Sequence, residues 1–120
     1  VFGGDGPGAT ANTETWNGSA WTEVNNLNTA RWHMFGAGSV PSALGFGGYS
    51  PAGYAALTED WNGASWSEVA DLNTGRSGGG SAGISDNTSA LVFGGSTPPH
   101  TAATEKWSGS SVVSKTVDTD

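Results

Sequence analysis

Apolar residues come in short runs along this chain, separated by glycine, asparagine, serine and proline. Over 77–115, a glycine-rich segment leads to a turn at 85–88, an apolar run at 90–93, an alternating segment at 103–107 and a last run at 111–115. No stretch shows the i, i+3, i+4, i+7 spacing of an amphipathic helix, whereas short bounded runs are typical of strands. The pattern therefore predicts four strands in about 45 residues.

The same pattern recurs at a regular interval. Trp16 and Trp61 are 45 residues apart, and so are Leu27 and Leu72. A period of this length indicates one supersecondary unit copied in tandem, whose copies must stack to bury their apolar faces. The chain holds about 2.7 repeats. They are predicted as a partial unit at 1–31 and full units at 32–76 and 77–120.

Four antiparallel strands per repeat at this period describe a β-propeller blade. The innermost strands of a propeller crowd around a channel, which suits the glycine-rich segments 36–39 and 78–83. Asn17-Gly18 and Asn62-Gly63 are hairpin signals between the last two strands of a unit. The predicted fold is an all-β propeller segment of four-stranded antiparallel blades, with only strands two to four in the first repeat.

Charge and composition narrow the classes of function. The chain has 4 Lys and Arg against 11 Asp and Glu, a formal net charge of −7. This balance argues against nucleic-acid binding and against electrostatic attachment to anionic membranes. There is no cysteine and no apolar run long enough to insert into a bilayer. We expect neither a disulfide nor a cofactor.

The order of residues within each repeat resembles that of a known family. In each unit a Gly-Gly pair precedes a Trp, and in the first two units a second Trp and Leu-Asn-Thr-x-Arg follow. The positions are Gly3, Gly4, Trp16 and Trp21; Gly47, Gly48, Trp61 and Trp66; and Gly94, Gly95 and Trp107. This order resembles the kelch repeat, although kelch repeats usually have Tyr as the first aromatic. The resemblance implies a kelch-like β-propeller in which these residues are structural. The third copy departs from it, because Val112 replaces the second Trp and no Leu-Asn-Thr-x-Arg follows.

A narrower resemblance concerns the source and role. Thr-Glu-x-Trp-Asn-Gly-x-x-Trp, Leu-Asn-Thr-x-Arg and Ala-Leu-x-Phe-Gly-Gly are similar to the repetitive kelch-type proteins of marine tailed bacteriophages. The resemblance implies a virion, tail-fibre or other extracellular component. The expected function is a non-enzymatic structural and interaction module that displays loops for attachment. Because propellers have four or more blades, we expect self-association or a longer chain to complete it.

The arginines of the repeat are the first candidates for a binding site. Arg31 and Arg76 occupy equivalent places between one blade and the next. By resemblance to kelch domains that bind acidic peptides, both could face the channel mouth and take a carboxylate or sulfate through paired hydrogen bonds. In the other interpretation, each arginine braces the inter-blade loop against backbone carbonyls.

The loops after Gly-Gly are the second candidate. Tyr49, Tyr54 and His100 fall in these loops, on the same face as the arginines by resemblance. Loops on a rigid scaffold often carry binding, and aromatic residues there suit a sugar or a protein epitope. The other interpretation is that these side chains only pack the loops.

Catalytic signals are weak. Residues 79–83, Gly-Gly-Ser-Ala-Gly, match a nucleophile elbow, but that motif needs a strand turning into a helix and here falls in a predicted inner strand. Glu14, Glu59 and Glu105 recur once per repeat, which favours a structural hydrogen bond over a catalytic pair. Two histidines and no cysteine argue against a zinc site. The sequence therefore predicts no enzyme. The alternatives are an intracellular adaptor for an acidic peptide and, with least support, a propeller enzyme such as a glycosidase.

Overall fold

The computed structural model describes residues 1–83, 87–109 and the backbone of 112–115. Ser85 and Asp86 of the predicted turn, Ser111 of the predicted last run and the end of the third unit, 116–120, lie outside the described residues. The described part contains twelve strands and no helix. The strands are β1 (Thr13–Trp16), β2 (Trp21–Val24), β3 (Phe35–Ser39), β4 (Ser42–Phe46), β5 (Tyr49–Ser50), β6 (Gly53–Tyr54), β7 (Thr58–Trp61), β8 (Trp66–Val69), β9 (Gly80–Gly83), β10 (Ala90–Phe93), β11 (Thr104–Trp107) and β12 (Val112–Lys115).

The strands form antiparallel sheets that follow the chain order. One four-stranded sheet has the order β3-β4-β7-β8 and another the order β9-β10-β11-β12. The first repeat contributes the pair β1-β2, and Phe2 bridges to Thr13 where a preceding strand would lie. The prediction of an all-β protein with antiparallel sheets is therefore confirmed. The described sheets do not close into a ring.

One element is an addition to the predicted four strands. The loop after Gly47-Gly48 folds back as the short hairpin β5-β6 before the chain enters β7. The corresponding loop of the third repeat is shorter and closes with a bridge between Ser96 and His100, and that of the first repeat with a bridge between Asp5 and Ala9.

Each pair of neighbouring repeats encloses one apolar cluster. Trp61 and Trp66 of the second repeat pack with Leu27 and Phe2 of the first. The second cluster joins the second and third repeats; its buried members are Phe35, Leu44, Phe46, Leu72, Ala90, Val92 and Trp107. The stability of stacked repeats is approximately the sum of a term for each repeat and a term for each such interface.

Burial of the tryptophans depends on having a preceding repeat. Trp61, Trp66 and Trp107 are 3%, 7% and 3% exposed, as expected for residues between sheets. Trp16 and Trp21 are 46% and 53% exposed, because no described repeat covers their side of the first sheet. Their rings contact each other, with centroids 5.3 Å apart, on a face that no other described repeat covers.

The glycine-rich strands lie next to one another, in keeping with their small side chains. The Ser81 hydroxyl of β9 donates to the Gly36 carbonyl of β3 at 2.8 Å. A Cβ added at Gly83 would lie 2.7 Å from the Cβ of Ala37. Close approach of two backbones requires glycine here.

The Gly-Gly pairs turn the chain at the end of the second strand of each repeat. All six glycines have positive φ. At Gly48, with φ of 100°, a Cβ would also lie 2.8 Å from the Trp32 carbonyl oxygen. Both the backbone conformation and the lack of space therefore exclude a side chain at that position.

Candidate functional site

Arg31 and Arg76 lie in the connections between successive sheets. Leu27 and Leu72, which begin the same five-residue motif, are buried in the clusters between repeats. The Arg31 carbonyl accepts a hydrogen bond from the Gly4 amide at 2.8 Å. The backbone of each connection is thus fixed to the repeat that it leaves.

The guanidinium of Arg31 reaches into the repeat that follows. It donates to the carbonyls of Gly47 and Leu57 at 2.7 and 2.8 Å, and to Oε2 of Glu59 at 2.6 Å. The Arg31 side chain is 0% exposed. One residue therefore joins two repeats, through its carbonyl on one side and its guanidinium on the other.

Arg76 repeats this arrangement between the second and third repeats. Its carbonyl accepts from the Gly48 amide at 2.8 Å. Its guanidinium donates to the Ala103 carbonyl at 2.7 Å, to the Gly94 carbonyl at 3.4 Å and to the Glu105 carboxylate. The same contacts at two successive junctions mark them as a property of the repeat.

Each glutamate has a second partner in the same motif. Oε1 of Glu59 accepts from the backbone amide and the side-chain amide of Asn28, at 2.6 and 2.9 Å. Oε1 of Glu105 accepts from the two corresponding groups of Asn73, at 2.6 and 3.0 Å. We call each set of three residues an Asn–Arg–Glu clasp: Asn28, Arg31 and Glu59 form the first, and Asn73, Arg76 and Glu105 the second. Glu14, at the equivalent position of the first repeat, is exposed.

The first clasp is a buried ion pair in which both the carboxylate and the guanidinium have further hydrogen-bond partners. In the second clasp the buried Nε of Arg76 has no hydrogen-bond partner among the described residues. Burial lowers the pKa of the Arg31 guanidinium, and the adjacent Glu59 carboxylate opposes that shift. A carboxylate ligand would have to displace Glu59 and open the junction between repeats. The structure thus shows the two arginines bracing the connections, and it does not place them at an open channel mouth as the binding interpretation expected.

The loops after Gly-Gly carry a cluster of aromatic side chains. Tyr49 and Tyr54 face each other across the β5-β6 hairpin, with ring centroids 5.0 Å apart. Trp32 lies against Tyr49 at 5.1 Å and is bridged to it through the backbone. Tyr54 is 40% exposed, and the other two rings are half-buried. We call Trp32, Tyr49 and Tyr54 the loop aromatic cluster.

Sequence reasoning missed Trp32, although a signal was present. At the equivalent place in the next repeat stands Ser77, and Ser96 corresponds to Tyr49, so the backbone bridge recurs without the rings. Because serine is sufficient at this position in the next repeat, the large side chain of Trp32 indicates a feature specific to the loop of the second repeat.

His100 lies in the neighbouring loop and is exposed. Its backbone is bridged to Ser96, and the Ser96 hydroxyl lies 3.3 Å from the Tyr54 hydroxyl. The loops of the second and third repeats are thereby joined at their polar edge. The structure records ring contacts between Tyr49 and Tyr54, but His100 is linked to them only through Ser96.

Other chemistry has little support in the described residues. Ser81 of the elbow-like motif lies inside strand β9, and its hydroxyl is engaged with Gly36. Across the described ranges, no group of three or more His, Cys, Asp or Glu side chains could hold a metal ion. No helix in that part of the chain is long and apolar enough to cross a membrane.

A groove of about 390 Å³ opens between the first and second repeats. Its walls include Trp16, Trp21, Trp61, Trp66 and Phe2, so it is largely apolar. Glu14 is the single titratable side chain among the residues that line it. A lone carboxylate beside indole rings lacks the partner that acid–base catalysis on a glycoside needs.

Comparison with known proteins adds no family assignment. No protein-family model and no curated protein sequence matches the chain. The resemblance to kelch repeats therefore depends on the residues quoted above.

Proposed function

We propose that the chain is a non-enzymatic binding module made of kelch-like β-propeller blades, which presents the loop aromatic cluster to a glycan. In this proposal it belongs to a virion or another extracellular attachment structure. Two observations support the comparison with propeller blades. The two four-stranded antiparallel sheets each follow the chain order, and an Asn–Arg–Glu clasp of the same kind recurs at both junctions between repeats.

The loop aromatic cluster is the observation that carries the proposal. The ring of Tyr49 contacts two other aromatic rings, with centroids 5.1 Å from that of Trp32 and 5.0 Å from that of Tyr54. They stand on loops held by a rigid sheet, a frequent position for binding residues. The Tyr54 and Ser96 hydroxyls at its edge supply hydrogen-bond donors and acceptors next to the apolar ring faces.

Both arginines of the repeat are buried among the described residues, which favours a neutral ligand over an acidic one. An acidic peptide would need an available guanidinium, and those of Arg31 and Arg76 are buried in clasps. A glycosidase would need two carboxyl groups flanking one bond, whereas Glu59 and Glu105 are each held by an arginine and an asparagine. A sugar ring stacked on an aromatic face requires neither.

A glycan array followed by calorimetric titration of the best ligand tests the proposal. We expect Tyr54→Ala and Trp32→Ala to weaken binding at least tenfold, because loss of about 1.4 kcal/mol changes a dissociation constant by that factor. Val40→Ala is the control, since Val40 is 59% exposed but lies in the turn between β3 and β4, at the other end of β4 from the loops. Equal loss of affinity in the control and in Tyr54→Ala contradicts the assignment of the site. Binding of proteins but of no glycan would exclude the ligand class.

A further inference from the structure

Among the described strands, the main sheet of each repeat has two different faces, and the same two types of face meet at both junctions between repeats. The leading face points toward the preceding repeat and, in the second repeat, carries Trp61 and Trp66. The trailing face points toward the next repeat and, in the second repeat, carries Leu44, Phe46 and Thr58. Because the repeats have the same register, the residues equivalent to these sets can be read directly in the other two sheets.

Specific contacts define this junction. The indole ring of Trp66 meets the ring of Phe2 edge to face at 4.9 Å, and its N–H donates to the hydroxyl of Thr13 at 2.9 Å. At the next junction the ring of Trp107 meets that of Phe46 edge to face at 6.4 Å. A leading tryptophan against a trailing phenylalanine is therefore the common element.

Among the described residues, nothing covers the leading face of the first sheet or the trailing face of the third. Leu91 and Phe93, on the trailing face of the third sheet, are 41% and 42% exposed, whereas their equivalents Leu44 and Phe46 are each 0% exposed. On the leading face of the first sheet, the exposed apolar residues are Val1, Trp16 and Trp21. Most of the exposed large apolar side chains of the described residues thus lie on these two faces. Contiguous apolar surface of this kind marks an interaction site.

We propose that a second copy of this chain docks its trailing face, with Leu91 and Phe93, onto the leading face formed by Val1, Trp16 and Trp21. The partner is argued from the two internal junctions, in which these face types already meet. Thr104 stands where Thr13 stands in the first junction, so it is placed to accept a hydrogen bond from the Trp21 indole of the other copy. This inference does not depend on the ligand of the loops.

The geometry predicts head-to-tail association. A contact between two unlike faces leaves one of each free on every dimer, so it continues into a ring or an open filament. Glu14 would gain no clasp from a second copy, because Arg31 and Arg76 are each committed within their own chain. The junction between copies is therefore weaker than those inside the chain, and the assembly should depend on concentration. Added salt should favour it by screening the repulsion between chains of net charge −7.

Sedimentation velocity of the purified chain over a wide concentration range tests the proposal. We expect the mass of the wild-type species to rise with concentration. Phe93→Asp and Trp21→Asp should each remain monomeric, because each blocks one of the two docking faces. Both should still fold, because both substituted positions are exposed. An equimolar mixture of the two variants keeps one intact face of each type and should form a species of two chains and no larger. Tyr54→Asp is the matched control for an exposed aromatic residue off these faces, and it should associate like the wild type.

Circular dichroism shows whether each variant has kept its strands. A wild-type chain that stays monomeric up to millimolar concentration overturns the proposal. In that case, further repeats of a longer protein would be the partners that cover these two faces. Association of both blocked variants as strong as that of the wild type also overturns it. A dimer formed by Phe93→Asp alone would show that the trailing face is not used.

Discussion

Replacing Arg31 by alanine tests the clasp at its centre. The change removes the positive partner of a fully buried Glu59 carboxylate. It also removes the donor that the structure gives to the Gly47 carbonyl, whereas the Leu57 carbonyl keeps the Gly47 amide as a partner. Breaking a buried ion pair by removing one partner costs about 3–5 kcal/mol. Since small proteins have a total stability of about 5–15 kcal/mol, we expect Arg31→Ala to be marginally folded.

The assay is urea denaturation followed by far-ultraviolet circular dichroism and tryptophan fluorescence. Lys106→Ala is the matched control, because it removes one positive charge from an exposed position of β11. It should change the free energy of unfolding by less than about 0.5 kcal/mol. The two probes should give the same midpoint if the repeats unfold together.

A double-mutant cycle separates the ion pair from the other losses. We expect Glu59→Gln and Arg31→Met each to destabilise the chain, and the double variant to lose less than the sum, with a coupling free energy of about 0.5–3 kcal/mol. A loss for Arg31→Ala no larger than that for Lys106→Ala would refute the reasoning, and so would strict additivity in the cycle.

Two further predictions use pairs of equivalent or matched positions. Thr13→Val removes the acceptor of the buried Trp66 indole N–H and should lower the free energy of unfolding by about 1–3 kcal/mol. Thr58→Val should leave the free energy of unfolding unchanged or raise it, because the buried Thr58 hydroxyl has no hydrogen-bond partner among the described residues. Chemical denaturation of both variants checks this, and a larger loss of stability for Thr58→Val would contradict it. Gly48→Ala should lower the melting temperature more than Gly53→Ala does. Both glycines have positive φ, but only at Gly48 would the new methyl group lie under 3 Å from other atoms. Similar melting temperatures of the two variants would contradict this prediction.

Much of the fold could be predicted from the repeat itself. The apolar runs, the tight turns and the glycine-rich segments each mark a strand or its end, and β9, β10 and β11 lie where they were expected. This succeeded because a strand of four or five residues is fixed by local chemistry. The hairpin β5-β6 was missed because Tyr49 and Tyr54 form it only in the longer loop of the second repeat.

The candidate site was harder to predict because its partners are distant in sequence. Arg31 and Glu59 lie in different structural elements, separated by two strands and a hairpin. Recurrence of the glutamate indicated a structural hydrogen bond to a neighbouring turn, and the contacts of Glu59 with Asn28 have that character. The sequence left open whether the arginines face solvent or carbonyls, since that depends on the packing of two repeats. The exposure of Trp16 and Trp21 has the same origin, because their cover would come from a neighbouring repeat.

Amide hydrogen exchange at Asn28 and Asn73 tests the account most directly. Both residues lie in loops and are exposed, yet their backbone amides donate to the buried carboxylates of Glu59 and Glu105 at 2.6 Å. If the clasps join the repeats, these two amides should exchange as slowly as those of the central strand β4, because only opening of a junction releases them. Exchange at the rate of an unprotected loop would contradict the central claim that the Asn–Arg–Glu clasps hold the repeats together.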